Sequence, residues 1–477
     1  MKKISISIVC FVMIFIFFVQ IPVCAISSTD YIISNDELIE TPLCYLPEQV
    51  ISYLGEKGGN FIGASDLFID KNDNIFITDK NRNRIVKLNP DGEFIKEYTN
   101  SGNLSGPSSV FVSDNGDIFI ADSDNKRIVH INDNDEEIEV FGKPDSSLLD
   151  EDLDYTVTRF AISKQGIIYV IYAQHFMMID ANNDFKGFYA SNKVPFKLSE
   201  FLIRTFGSEV QKNSTAFSQA NSYNSLEIGE DGLIYAVSND KSNQISVLNS
   251  NGENIFKFDE KPIKVVEDKS AMILEPQLID ICVDKLGNIY VLERNGSYIY
   301  LYDKEGTMLS MFGGRGSIKG KFSNPVAVDT NSKGETFVLD ASNGTIHRFK
   351  PTSYMNKILE AHILFNEGKY EDSFNKWNEV LEINSNCSLA NSGKGKILYK
   401  QEQYKEAMNY FKKANDKENY AKSFTRYRHS IFRDYFGWVV IGLAVLIGLI
   451  ILTIIYLRKR SNNAVDDYYY GKMRKKI

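Results

Sequence analysis

Five histidines, five cysteines and 62 Asp or Glu residues are the side chains on which metal or acid–base chemistry could be built. Zinc needs His, Cys or carboxylate ligands in a close set, yet His130, His175, His347, His362 and His429 contain no close pair. Calcium needs oxygens converging from several segments. Asp70, Asp284 and Asp329 recur at comparable places, but those are places where a repeating turn would use an aspartate for itself. The run from Asp145 to Asp154 could hold a cation weakly; a solvated acidic loop is the plainer reading. Cys44, Cys282 and Cys387 are widely spaced, odd in number and without a CxxC, which excludes a disulfide framework and a zinc knuckle. No Gly-rich phosphate loop, Ser-His-Asp grouping or GxSxG occurs. The spacing therefore predicts no catalytic residue, no metal and no cofactor, and a protein that is not an enzyme.

The elements that position these residues come from a repeat. Asp66 to Leu88 returns, ungapped, at Ser109 to Ile131, the signature of a unit that cannot close its own core and stacks with copies of itself. Each copy reads as alternating apolar positions (Leu67, Ile69), a polar turn, a second strand (Ile75 to Thr78) and a third (Ile85 to Leu88). The turn Asn89-Pro90-Asp91-Gly92 leads to a fourth, Glu93 to Tyr98. Four antiparallel strands make a propeller blade. Weaker copies at Phe160 to Tyr189, Ser225 to Phe258, Ile279 to Phe312 and Val326 to Phe349 bring the number to six. The last lacks a strand, which Gln49 to Leu54 is placed to supply, closing the ring and protecting its edges.

The intervals Asp79 to Arg84 and Asp122 to Arg127, together with Val283-Asp284 through Gly287-Asn288-Ile289-Tyr290-Val291 and Asn324 to Asp329, resemble the NHL repeat family. The resemblance covers residues 45–350 and departs from the pattern at Ala173 to Phe176 and Ser238 to Asn243. It implies a binding scaffold more than a catalyst. Six-bladed propellers also include lactonases that hold calcium in the channel, so the alternative is a calcium-dependent, lactonase-like hydrolase. The Asp79–Arg84 and Asp122–Arg127 pairs are expected to be exposed bridges worth about 0–1 kcal/mol.

Within blades the first-to-second and third-to-fourth strand links are tight, whereas links between blades, such as Gly142 to Tyr155, Ala190 to Tyr223 and Asp259 to Gln277, are long. Antiparallel order puts the long links on the face of the second-to-third strand loops. Long loops on a rigid body are where binding usually sits, so Arg82, Lys126, His175, Lys241, Arg294 and Asn343 on that face are the candidate binding residues.

After Pro351 the apolar period changes from two to 3.6. Ala361, Ser373, Trp377 and Val380 recur 34 residues later as Gly395, Ala407, Phe411 and Ala414, which resembles the tetratricopeptide (TPR) repeat. Phe436 to Leu457 is uncharged and long enough to cross a bilayer, with Arg458-Lys459-Arg460 marking the cytoplasmic end. Met1 to Ala25 reads as a secretory signal peptide. The layout is multidomain: signal peptide 1–25, all-β six-bladed propeller of NHL type 45–350, α-helical TPR-like repeats with a capping helix 354–433, transmembrane helix 436–457 and cytoplasmic tail 458–477. A formal charge of -8 without a basic stripe argues against nucleic acid. The expected protein is a single-pass cell-membrane scaffold with its bulk extracytoplasmic. Its propeller is expected to recognise a ligand or protein partner, and its TPR repeats to dock a second protein, within a membrane transport-associated complex. A surface sensor working through a partner is the third reading.

Overall fold

The computed structural model describes residues 29–34, 37–149, 152–190, 198–208, 222–240, 244–257, 265–267 and 272–474. The signal peptide, Lys241 and most of the links 190–223 and 259–277 lie outside the described residues. The chain divides into two compact units, Met1–Leu359 and Glu360–Ile477.

The first unit is the expected six-bladed propeller. Its inner strands are Ala64–Ile69, Pro107–Val112, Phe160–Ile162, Tyr223–Ile228, Leu278–Val283 and Pro325–Thr330, each starting an antiparallel sheet that runs outward in chain order. Among the described residues blade four has three strands, with a single bridge from Leu248 to Asn254 at its outer edge. The middle strands are mostly buried, and Ile75–Asp79 and Thr336–Asp340 are buried throughout. Outer strands are more open, leaving Ile95, Ile138 and Phe188 exposed. Apolar clusters form between adjacent blades, for example Ile69, Val86 and Leu88 with Phe337 and Ile346.

A β-bulge recurs near the start of five inner strands, between Ala64/Asp66, Pro107/Ser109, Tyr223/Ser225, Leu278/Asp280 and Pro325/Ala327. Bulges re-aim the side chains that follow, so Asp66, Ser109, Ser225, Asp280 and Ala327 share one register position. In blade three Phe160 pairs with Val170 as Leu67 pairs with Ile77, which puts Arg159 at that same position. The first-to-second strand turns close on a left-handed residue, glycine at Gly116 (φ 92) and its later counterparts. Blade one uses Asp73 at φ 63, a conformation that aspartate tolerates better than most side chains.

The ring closes through Tyr45–Ile51, which pairs with Thr345–Pro351 (Val50 opposite His347) and becomes the outer strand of blade six. Upstream of it stands an element with no counterpart in the repeat: the hairpin Thr29–Ser34/Glu37–Pro42, which joins blade five through Tyr31 and Met311 and widens it to six strands. Asp30 holds this hairpin to the closing strand by accepting the Cys44 and Tyr45 amides at 2.6 and 3.2 Å.

The Asp79–Arg84 pair is not the exposed bridge expected. Asp79 is fully buried, Arg84 nearly so, and they meet at 3.0 Å. Asp79 also accepts the Ile62 amide at 2.8 Å, just as Asp122 accepts Ser105 at 2.7 Å and Arg127 at 2.7 Å. The link entering each blade lies over the carboxylate and removes it from water. His347, on the third strand of blade six, is likewise buried: its Nδ1 accepts the Gly320 amide at 3.1 Å, and burial holds its pKa down to about 4.

The second unit is helical, with Tyr370–Ile383, Ser388–Lys400, Tyr404–Lys413 and Lys417–Arg474 following a helix, Ser353–Asn366, that straddles the division. Ala361, Ser373, Trp377 and Val380 are buried, as are their counterparts Gly395, Ala407, Phe411 and Ala414. The glycines are contact surfaces: a Cβ on Gly393 would stand 2.5 Å from the Trp377 ring, and one on Gly395 would stand 2.6 Å from Phe411. The expected capping helix and membrane span form one uninterrupted helix of 58 residues, long and apolar enough to cross a membrane by length and composition.

Candidate functional site

An innermost strand has no partner on its channel side, so its amides need acceptors from elsewhere. Carboxylates of the preceding blade supply them. Asp66 accepts Val110 N at 3.0 Å, Glu227 accepts Val283 N at 2.9 Å, Asp280 accepts Val328 N at 2.8 Å, and Asp329 accepts Ile69 N at 2.6 Å. The last of these joins blade six back to blade one. Asp329 is therefore a channel residue and not the turn residue expected, whereas Asp70 and Asp284 do cap their turns, accepting the amides of Asn72 and Asn74 and of Leu286 and Asn288.

Register sorts the inner strands into two tiers. The first, in blade order, is Asp66, Ser109, Arg159, Ser225, Asp280 and Ala327. Arg159 ion-pairs with Asp66 and lies 3.4 Å from Asp280, so blades one, three and five meet through one guanidinium. Ser225 donates to Asp280 at 2.6 Å, while Ser109 is buried with no hydrogen-bond partner for its hydroxyl.

The second tier lies two residues on: Phe68, Phe111, Ala161, Glu227, Cys282 and Asp329. Each is paired across its blade with an aromatic residue, Phe76, Phe119, Tyr169, Tyr235, Tyr290 and Phe337 in turn. Half of this tier is apolar, with the Phe68 and Phe111 rings 5.4 Å apart and Phe119 next in line at 6.3 Å. The other half is ionisable.

Apart from Ser109 and Ala327, these tiers line a cavity of about 840 Å³ that is framed by the first-to-second strand turns, including Asp73, Asn115, Lys164, Lys285 and Ser332. Glu227 and Asp329 are partly exposed, but onto this cavity, deep within the propeller. Burial is the main force on the deep acids. It pushes Asp66 up to about 7, against the pull of Arg159, and Asp329 up to about 8. Glu227 is raised well above the carboxylate range by burial and then by the nearby Asp329. Cys282, among Asp329, Glu227, Asp280 and Asp284, is raised as well; it stays a thiol, not a thiolate nucleophile, near neutral pH. Such carboxyls hold protons near neutral pH and can give or take one, the property required of a general acid or base.

Among the described residues, none of the sequence-predicted binding residues lines this cavity. Arg82 is exposed in a short turn, where it donates to the Asn60 carbonyl, and Lys126 pairs with Asp154 at 2.7 Å. His175 packs 5.3 Å from Phe188, Arg294 is exposed, and Asn343 donates to Asp340 at 2.9 Å. Lys241 is outside the described residues. The residues missed are Asp66, Arg159, Glu227, Asp280 and Cys282. Their signal was an ionisable residue inside an otherwise apolar inner strand, visible once the six strands are superposed by register. Among the described residues, no group of three or more His, Cys, Asp or Glu is placed to hold a metal ion.

No family model and no curated protein sequence matches the chain. Among solved structures it is similar to virginiamycin B lyase from Staphylococcus aureus, at 14% identity over 65% of this chain and 89% of that one, TM-score 0.38. It is also similar to a gluconolactonase from Xanthomonas campestris, at 9% identity over 61% and 87%, TM-score 0.41. A third likeness is to a protein of unknown function from Bacteroides thetaiotaomicron, at 12% identity over 67% and 80%, TM-score 0.45. Likeness this distant speaks to the fold alone. Two of these three are enzymes by name, however, so the expectation that the protein is not an enzyme is corrected: missing familiar motifs do not exclude catalysis from this fold.

Proposed function

We propose that the propeller is a small-molecule-binding body carried by a membrane helix, with its ligand in the channel mouth framed by the first-to-second strand turns. The observation that carries this reading is the second tier, where an aromatic wall from blades one and two faces Glu227, Cys282 and Asp329 from blades four to six. A concave site with apolar walls and a few converging polar groups is the usual form of a ligand site, and about 840 Å³ is within the usual range of about 300–1,000 Å³. The raised carboxyls equip the same site for proton transfer to or from whatever it holds.

The test is a thermal-shift screen of the full chain in detergent against small molecules, with Ala161→Trp as the filled-channel control. Ligands that stabilise the parent protein and leave the variant unmoved support the site. Ligands that stabilise both equally place binding elsewhere.

Membrane topology and protein docking belong to the same reading. Arg458, Lys459 and Arg460 follow the apolar run and favour a cytoplasmic tail. The paired helices between Tyr370 and Lys413 offer a docking surface for a second protein of the kind TPR-like repeats provide. Crosslinking from intact membranes, with the helical segment deleted as control, tests this; equal recovery of partners without the segment would count against it.

A further inference from the structure

The deep carboxyls of the channel are unequally matched. Arg159 serves Asp66 and Asp280. Among the described residues Glu227 and Asp329 make no ion pair; what they accept are the backbone amides of Val283, and of Ile69 and Thr330. Both border the cavity, on its ionisable side, with Cys282 between them in blade order. Across the tier the Phe68 and Phe111 rings present an apolar surface of the sort on which a hydrocarbon, or the face of a cation, rests favourably.

We infer that the ligand of this mouth is a small organic cation, an amine bearing an aromatic or branched apolar group, whose ammonium is held by Glu227 and Asp329 and whose apolar group lies against Phe68 and Phe111. This rests on the ligand-site reading above. A neutral ligand would make no use of two carboxyls that have no ion-pair partner among the described residues, and a bare inorganic cation would leave the aromatic wall unused. Because both carboxyls hold protons readily when the site is empty of positive charge, an arriving ammonium favours their ionised forms. Binding then releases protons to the solvent.

The experiment is titration calorimetry of the full chain in detergent, with phenethylamine, its neutral counterpart 2-phenylethanol, methylamine and calcium chloride as probes, in two buffers of different ionisation enthalpy. Phenethylamine is expected to bind at least tenfold more tightly than 2-phenylethanol and than methylamine, with an apparent enthalpy that depends on the buffer. Glu227→Gln and Asp329→Asn should each weaken phenethylamine tenfold or more. Both retain an acceptor for the strand amides, and their melting temperatures control for folding. Phe111→Ala should weaken phenethylamine but not methylamine. If 2-phenylethanol binds as well as phenethylamine, the cation inference falls and the ligand site stands. If calcium alone binds and the acid variants abolish it, the site is a metal site. If none of the four binds and the thermal-shift screen also fails to separate the parent from Ala161→Trp, both readings fall.

Discussion

Arg159 on the third blade lies 3.4 Å from Asp280 on the fifth while also pairing with Asp66 on the first. Alternate blades of the ring are thus tied through the channel by one side chain. Removing it leaves two buried carboxyls facing each other unpaired. Breaking a buried pair from one side costs about 3–5 kcal/mol, so Arg159→Met should lower the unfolding free energy of the propeller, read from denaturant titration, by that much. Adding Asp66→Asn and Asp280→Asn should restore most of the loss. A triple variant no more stable than the single one would mean that the guanidinium acts by packing, not charge.

The raised acids also set a pH dependence. Asp66 and Asp329 titrate at about 7 and about 8 in the folded chain, against 3.8 for an ordinary aspartate. Between those values the folded state holds protons that the unfolded state has lost, so their stabilising contribution is complete below the lower value and disappears as pH rises through the upper one. His347, held down to about 4 from 6.5, has the opposite effect, but only below 6.5. The propeller should therefore melt at a lower temperature at about pH 9 than at pH 6.5. Asp329→Asn, which fixes the uncharged form, should reduce that difference by being the more stable protein at the higher pH. Parallel melting curves for the two proteins would refute the assignment.

How far the sequence disclosed this follows from the same residues. Strand alternation and the return of Asp66 to Leu88 at Ser109 to Ile131 are local facts, and they were enough to give the blades, their number and the closing strand. Glu227 and Asp329 are about a hundred residues apart, and each alone looks like a stray acid in a strand; only the common register across six blades makes them neighbours in one tier. The long inter-blade links drew attention to the other face of the propeller, whereas this cavity is rimmed by tight turns such as Ser113 to Asp117, which leave it open. The Thr29–Pro42 hairpin belongs to no repeat and so had no periodic signal at all.

The second unit offers an independent check on packing. The space at Gly393 is occupied by the Trp377 ring, with Cε2 at 2.5 Å and Nε1 at 2.6 Å from where a Cβ would stand. Gly393→Ala should force the ring to move and cost about 1–3 kcal/mol, with Trp377 emission shifting to the red. Trp438, the other tryptophan, is exposed on the long helix and reports no change in packing. Unaltered emission and proteolytic resistance in the variant would show that the two helices have room to separate.

Tyr45 tests what the closing strand contributes beyond its ladder. Its ring stacks on Phe312 at 4.2 Å, and its hydroxyl meets that of Tyr290 at 3.0 Å, so the outer strand of blade six is fastened to blade five by packing and by a hydrogen bond. Tyr45→Phe removes only the hydrogen bond; Tyr290 keeps Asp284 as a partner, so the cost should be about 1 kcal/mol. Tyr45→Ala also empties the volume beside Phe312 and should cost about 3–5 kcal/mol. A chain starting at Leu54 goes further and exposes Thr345–Pro351 as an unpaired edge. That protein should elute as aggregate in size-exclusion chromatography under conditions where both point variants remain dispersed. A monodisperse truncated chain would mean that the propeller closes without its N-terminal strand.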